Sequence, residues 1–104
     1  MITKLEVKAF EIARQPGLDP ITVYYQDIAP GKGTMTLICY GCAWTMYWGA
    51  TGKESVLRFF ATCDNGYLVT KFGINPTLKQ SKRDHAYLSK IIDAVKVALE
   101  EVTW

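Results

Sequence analysis

The chain has 104 residues, 49% of them hydrophobic and 21% charged, and this composition predicts one folded domain spanning residues 1–104. Its formal net charge of +2 excludes an acidic DNA mimic and is too small to attract nucleic acid by charge alone. No apolar run approaches the roughly 20 residues of a membrane-spanning helix, and the charged residues in MITKLEVKAFEIA argue against a signal peptide, so we expect a cytoplasmic protein.

The first half of the chain predicts three or four antiparallel strands. Residues 4–10 alternate charged and apolar side chains, the period of a half-buried strand, and RQPGLDP (14–20) reads as a turn-rich loop. Three β-branched and aromatic runs follow as further strands: ITVYYQDI (21–28), TMTLICY (34–40) and CAWTMYW (42–48). APGKG (29–33) and Tyr40-Gly41 would connect them as hairpin loops.

The second half predicts helices. ESVLRFFATC (54–63) places apolar residues at helical spacing, whereas YLVTKF after it fits a short helix or a strand equally well. INPTLKQ (74–80) reads as a loop. Ser81 and Asp84 form an N-terminal capping pattern for a long helix at 82–102. Its apolar stripe consists of Tyr87, Leu88, Ile91, Ile92, Val95, Leu99 and Val102. The expected fold class is α+β, an antiparallel three- to four-stranded sheet with one short and one long C-terminal helix packed on one face.

The register of one hairpin assigns residues to the two faces of the sheet. If Tyr40-Gly41 is a two-residue loop, Cys39 lies opposite Cys42, and Leu37 lies opposite Trp44. Because side chains alternate along a strand, one face then carries Met35, Leu37, Cys39, Cys42, Trp44, Met46 and Trp48. We expect Trp44, Met46, Leu37, Ile91, Ile92 and Val95 to form the core.

The opposite face is rich in tyrosine and threonine and nearly free of charge. Its residues are Thr22, Tyr24, Gln26, Thr34, Thr36, Ile38, Tyr40, Thr45 and Tyr47. Cross-strand threonine and tyrosine pairs on a solvated face would account for this pattern. Tyrosines also suit recognition, because they offer rigid contact area at low entropic cost. The candidate protein-binding residues are Tyr24, Thr36, Tyr40, Thr45 and Tyr47.

The cysteines make redox activity and metal binding two functions to consider. The C-x-x-C pair Cys39 and Cys42 lies at a strand turn, whereas reactive pairs lie at a helix N-terminus. With Cys63 and His85 the pair would supply four zinc ligands, but Cys63 falls on the buried stripe of a helix, where a free cysteine acts as a small hydrophobe. Three cysteines and no mark of secretion favour reduced thiols. We expect no metal, no disulfide and no cofactor.

No catalytic constellation is present in the sequence. The chain has a single histidine, and Asp27, Asp64 and Asp93 stand in no recognisable catalytic setting. The Gly-Lys-Gly at 31–33 lacks the length and the hydroxyl residue of a phosphate-binding loop. We therefore expect that the protein is not an enzyme.

A basic segment offers a rival site. KFGINPTLKQSKRDHAYLSK (71–90) contains one acidic residue, Asp84. Its cations are Lys71, Lys79, Lys82, Arg83 and Lys90. One interpretation is that these cations are solvated side chains of a loop and a helix start. The other is that they contact phosphates or RNA, since a helix N-terminus itself attracts anions. Cations at a helix start oppose the helix dipole, which is locally unfavourable.

The stretch YGCAWTMYWGATG and the following FFATCDNGYL resemble small proteins of tailed phages and enterobacterial prophages. The shared pattern is Y-G-x-A-W-x-x-Y-W-G-A-x-G followed by F-F-x-x-C-D-x-x-Y-L, and the similarity covers residues 34 to 72. It rests on Trp44, Tyr47, Trp48, Gly49, Ala50, Gly52, Phe59, Phe60, Cys63, Asp64, Tyr67 and Leu68. In that family the position of Cys42 is not reserved for cysteine, which weakens the zinc interpretation.

The resemblance implies a small phage accessory protein in the cytoplasm of the host cell that binds and modulates host or defence machinery. Some anti-CRISPR proteins are comparably small α+β domains, a parallel at the level of fold alone. We expect a protein that binds a host or defence-system protein, with a homodimer as a further possibility and no membrane partner. The alternative is a nucleic-acid-binding phage protein that uses residues 71–90.

Overall fold

The computed structural model describes residues 1–52, 54–73 and 82–101, with the backbone alone for 82–85. Four strands form one antiparallel sheet in the order β1-β2-β3-β4, and helices follow, so the predicted α+β class is confirmed. The elements are β1 (Lys8–Ile12), β2 (Ile21–Ala29), β3 (Lys32–Cys39), β4 (Cys42–Trp48), α1 (Val56–Thr62), α2 (Asn65–Gly73) and α3 (Lys82–Glu100). The loop predicted at 74–80, the cap Ser81 and Val102 lie outside the described residues.

The turn between β3 and β4 has the two residues that the sequence predicts. Tyr40 has φ 52° and Gly41 has φ 74°, and two positive φ values in a two-residue hairpin are the signature of a type I′ turn. Cys39 therefore pairs with Cys42, Leu37 with Trp44, and Met35 with Met46. The predicted register is confirmed.

Several predicted strand ends are wrong. β2 and β3 run on to the pair Ala29 and Lys32, so the five-residue loop predicted at 29–33 is a two-residue turn at Pro30-Gly31. β1 begins four residues later than predicted, and Leu5 and Val7 are exposed. The larger apolar pair Phe10 and Ile12 instead faces the core, because it packs against the inner side chains of β2.

Side-chain oxygens cap the N-terminal ends of the short helices. Asp27 of β2 accepts a hydrogen bond from the backbone N–H of Val56 at 2.8 Å, and Ser55 accepts one from the N–H of Arg58 at 3.4 Å. Asp64 accepts from the N–H of Tyr67 at 3.2 Å at the start of α2. All three acceptors satisfy donors that a helix start leaves free. The segment that fitted a helix or a strand is thus the helix α2, and the helix predicted at 54–63 is the shorter α1.

Helix α1 approaches the sheet closely at a glycine. A Cβ placed on Gly33 would lie 2.7 Å from Cβ of Val56 and 2.9 Å from the carbonyl oxygen of Gln26. Any other residue would have to displace backbone or the first turn of α1. Gly33 therefore permits the contact between β3 and α1.

The inner face of the sheet and the helices enclose one cluster of buried side chains. Leu88, Ile91, Ile92, Val95 and Leu99 provide the buried side of α3, as its apolar stripe predicts. The largest aromatic contacts join β4 to α1 and α2: Trp48 packs edge-on against Phe59 and Phe72, with ring centroids 5.5 and 5.9 Å apart. In the described ranges, no helix combines the length and apolarity needed to cross a membrane.

The predicted core is correct except for Met46, and a second inner-face residue of β4, Cys42, is not buried either. Trp44 is 8% exposed and Leu37 is fully buried, but Met46 is only half-buried. Cys42 shares the inner face and is nevertheless exposed. Both residues lie on the strand at the border of the sheet, where a neighbour is present on one side only.

Truncation of Trp44 should be costly. Trp44 is almost fully buried and packs on Tyr87 with ring centroids 6.3 Å apart, so Trp44→Ala should lower the free energy of unfolding by about 3–5 kcal/mol. Urea denaturation would measure this. The matched control is Tyr47→Ala, on the opposite face of the same strand, which should cost no more than about 1 kcal/mol. Equal losses in the two variants would contradict the assignment of faces.

Candidate functional site

The face of the sheet turned away from the helices, called the outer face below, carries the candidate binding residues. Its residues, taken from the strand registers, are Ala9, Glu11, Thr22, Tyr24, Gln26, Ala29, Lys32, Thr34, Thr36, Ile38, Ala43, Thr45 and Tyr47. None of them belongs to the buried core, and Glu11 and Lys32 are the two charged residues among them. The outer face is therefore a charge-poor surface of tyrosine, threonine and small apolar residues.

Three of the predicted residues form one row across the sheet. Tyr24 pairs with Thr36, and Thr36 pairs with Thr45. The Oγ1 atoms of Thr36 and Thr45 are 3.0 Å apart and share a hydrogen bond. Such cross-strand pairs stabilise a sheet, and here they hold the two hydroxyl groups in a fixed position. The row continues onto β1 at Ala9.

Tyr47 lies in the next row and completes a group of four predicted residues on one face. It pairs with Thr34, which pairs with Gln26. The exposed fractions of Tyr24 and Tyr47 are 41% and 53%, so both rings offer open surface to a partner. Tyrosine combines an apolar ring with a hydroxyl that donates and accepts hydrogen bonds.

Tyr40 differs from the other four. Strand alternation assigns it to the outer face, but it occupies the first position of the type I′ turn, with φ 52°. Its side chain is 78% exposed at the end of the hairpin. Tyr40 therefore lies at one end of the outer face, outside the rows of paired residues.

Sequence reasoning missed the contribution of β1 to this face. The predicted phase of the first strand turned Ala9 towards the core, whereas the pairing of Phe10 with Val23 turns Ala9 and Glu11 outward. The signal that would have found this phase is the Phe-x-Ile spacing at 10 and 12, which places the two largest apolar side chains of the segment on one side. Phe10 packs edge-on against Tyr25 with ring centroids 6.1 Å apart.

The cysteines of the C-x-x-C pair have different surroundings. Cys39 is fully buried, and its Sγ lies 3.2 Å from Oη of Tyr87 and 3.6 Å from the carbonyl oxygen of Asp19. Cys42 lies opposite it in the register and is exposed, and both thiols are free. The hydrogen bond with Cys39, followed by burial, raises the pKa of Tyr87 to about 12. Cys39 therefore contributes to packing between β3 and α3.

Cys63 ends helix α1. Its N–H donates to the carbonyl oxygens of Phe59 and Phe60, both at 3.2 Å, and its own carbonyl accepts from Nζ of Lys96. Burial raises the pKa of the Cys63 thiol, and the charge of Lys96 opposes this shift in part. Reactive cysteines require a lowered pKa, so this site favours the unreactive thiol. Within the described residues, no three histidine, cysteine or acidic side chains are grouped as metal ligands; the side chain of His85 is outside them.

The described part of the chain contains two cations of the rival basic segment. Lys71 lies on α2 with its Nζ 5.7 Å from the ring centroid of Tyr67, and Lys90 lies exposed on α3. The whole of Lys79 and the side chains of Lys82 and Arg83 lie outside the described residues. The nucleic-acid alternative at 71–90 therefore stays a prediction.

Comparison with known protein families gives one match, a model described as a phage family, over residues 1–80. The match covers most of the chain, and the chain belongs to this family of phage proteins. Comparison with curated proteins and with solved structures gives no significant match. The resemblance to phage proteins is thereby confirmed at the level of a phage family.

The Cys39–Tyr87 contact predicts a pH dependence. An unfolded tyrosine ionises near pH 10, whereas folded Tyr87 keeps its proton to about 12. The folded state therefore binds more protons in this window, and the free energy of unfolding should fall as the pH rises from about 10 to 12. Below pH 10 the free energy of unfolding of the native protein should exceed that of Tyr87→Phe by a constant amount. This difference should shrink as the pH rises from about 10 to 12.

Urea denaturation from pH 8 to 12 would measure this advantage. Cys39→Ala retains the tyrosine but removes its hydrogen-bond partner, so its own loss of stability over the same window should be smaller than that of the native protein. Parallel curves for the native protein and Tyr87→Phe through pH 12 would show that the contact does not hold the proton on Tyr87.

Proposed function

We propose that this phage protein binds and modulates a protein of the host or of its defence machinery, in the manner of an anti-CRISPR inhibitor, and that the outer face is its contact surface. The observation that carries the proposal is the row Tyr24, Thr36 and Thr45 with Tyr47 beside it. These side chains stand on strands, whose pairing fixes their positions. A preformed surface loses little entropy when a partner binds.

Its charge content distinguishes the outer face from an ordinary solvated surface. About 25–35% of the residues of a typical soluble surface are charged, whereas Glu11 on β1 and Lys32 at the start of β3 are the two charged residues among the thirteen on the outer face. The central parts of protein interfaces are depleted of charge and enriched in tyrosine. Hydrogen bonding between Thr36 and Thr45 accounts for those two residues, but it does not account for two half-open tyrosine rings on the same face.

The same composition favours a protein partner over nucleic acid. Binding to nucleic acid depends mainly on lysine and arginine at phosphates, and the outer face contains a single such residue, Lys32 beside the Pro30-Gly31 turn. It also contains no pair of groups suited to acid–base chemistry, so the proposed role is binding without catalysis.

Affinity capture from host lysate, with and without nuclease, tests this role. The native protein should retain a host protein after nuclease treatment, and the double variant Tyr24→Ala/Tyr47→Ala should lose about 10-fold or more in affinity, because tyrosines at the centre of an interface commonly contribute over 1 kcal/mol each. The captured protein, once purified, allows the affinities to be measured by calorimetry.

The matched control is Val97→Ala. Val97 is 57% exposed on α3, on the other side of the sheet, and its truncation removes exposed apolar surface without altering the outer face. The control should bind as the native protein does. Binding that instead disappears with nuclease, rises steeply as salt is lowered, and is abolished by charge reversal at Lys79, Lys82 and Arg83 would establish the nucleic-acid alternative.

A further inference from the structure

The two edges of the sheet differ in how they are protected. β1 forms one edge and includes Lys8 and Glu11 among its five residues. β4 forms the other edge with seven residues, Cys42–Trp48, none of them charged and none of them proline. Its pairing with β3 runs without a bulge. Charged residues, proline and bulges are the usual means by which an edge strand avoids pairing with another strand, and β4 has none of them.

The type I′ turn determines which backbone groups of β4 face outward. The residues that flank a two-residue turn, Cys39 and Cys42, form a hydrogen-bonded pair. Hydrogen-bonded and non-hydrogen-bonded pairs alternate along an antiparallel ladder. Ala43, Thr45 and Tyr47 therefore belong to non-hydrogen-bonded pairs with β3, and their N–H and C=O groups point to the free edge. No backbone hydrogen bond to these groups occurs among the described residues.

We propose that β4 pairs antiparallel with β4 of a second copy of this chain, about a two-fold axis at Thr45, to form one continuous eight-stranded sheet. In this register Thr45 lies opposite Thr45 of the other copy, and Ala43 lies opposite Tyr47. All three outward-facing residues then meet outward-facing residues, so each one donates and accepts a backbone hydrogen bond. The proposal does not depend on a host partner.

The side chains of β4 complement themselves in this register. On the outer face, Thr45 meets Thr45, which extends the row of hydrogen-bonded threonines, and the large Tyr47 meets the small Ala43. No like charges meet, because β4 has no charge. This self-complementarity favours a second copy over an unrelated strand as the occupant. One unprotected edge per chain also closes the assembly at two copies.

The inner face of β4 supports the same occupant. Met46 is half-buried and Cys42 is exposed, although both share the core face. In the paired sheet Met46 lies beside Trp44 of the second copy, and Cys42 lies beside its Trp48. The two positions where burial is incomplete in one chain are thus the positions that a second β4 would flank.

Sedimentation equilibrium of the purified protein tests the proposal. The native protein should have twice the 11.7 kDa mass of the chain. Thr45→Lys places two like charges opposite each other at the axis and should weaken the dimer on the order of 10-fold or more. Thr36→Lys is the matched control: it also removes the Thr36–Thr45 hydrogen bond and adds the same charge, but one strand away from the edge, and it should remain a dimer.

A charge-pair rescue locates the axis. Thr45→Glu should weaken the dimer to a similar degree, and an equimolar mixture of Thr45→Lys and Thr45→Glu should recover a dimer as strong as the native one. Circular dichroism and urea denaturation of each variant separate loss of pairing from loss of fold. A native protein that is monomeric throughout, an open series of larger species, or equal loss of the dimer in Thr36→Lys and Thr45→Lys would each overturn the proposal; the last would place the contact on the outer face instead.

Discussion

The turn at Tyr40-Gly41 is the constraint on which the rest of the sheet depends. A two-residue turn allows one register between β3 and β4, and it turns Met35, Leu37, Cys39, Trp44 and Trp48 to the same side. A shift of one residue would move the whole apolar set of one strand to solvent. The same turn also decides which backbone groups of β4 point to the edge. The two faces of the β3–β4 hairpin, its share of the core and its free edge therefore all depend on the geometry of this turn. The chain adopts the turn even though a tyrosine in a left-handed conformation costs about 1 kcal/mol.

The helices cover the inner face of the sheet and leave the outer face exposed, so packing restricts the residue types on the inner face more than those on the outer face. The inner face must match the helices closely: Gly33 leaves room for Val56, and Asp27 supplies the acceptor that the first turn of α1 requires. Lys96 of α3 donates to the carbonyl of Cys63 and to Oδ1 of Asn65, which joins the long helix to the junction of the two short ones. No packing requirement of this kind acts on Tyr24 or Tyr47. Their residue types are free to serve a contact with another molecule.

The features predictable from the sequence are those set by short-range patterns. The hairpin register follows from two residues between two strands, and the buried side of α3 follows from the spacing of Leu88, Ile91, Ile92, Val95 and Leu99. The outer-face positions of Thr36, Thr45 and Tyr47 follow from that register, and that of Tyr24 follows from the alternation of side chains along β2. The phase of the first strand is harder to predict, because Leu5, Val7 and Ala9 alternate as well as Phe10 and Ile12 do. The larger size of Phe10 and Ile12 is the one sequence signal for the observed phase, and the fit against β2 selects it. The incomplete burial of Cys42 and Met46 depends on their position at the edge of the sheet, which periodicity does not encode.

The order of the elements along the chain has a consequence for synthesis on the ribosome. The four strands are complete at Trp48, and neighbouring strands in the sheet are neighbours in sequence, so the meander can form early from local contacts. Its apolar side is covered in large part by Lys82–Glu100, which is translated about 50 residues later, a delay on the order of several seconds at typical elongation rates. In a nascent sheet Trp44, which packs on Tyr87 of the long helix, would therefore stay uncovered for that time, whereas Phe59 and Phe72, the neighbours of Trp48, emerge earlier. The final packing of the sheet is completed only when the long helix emerges.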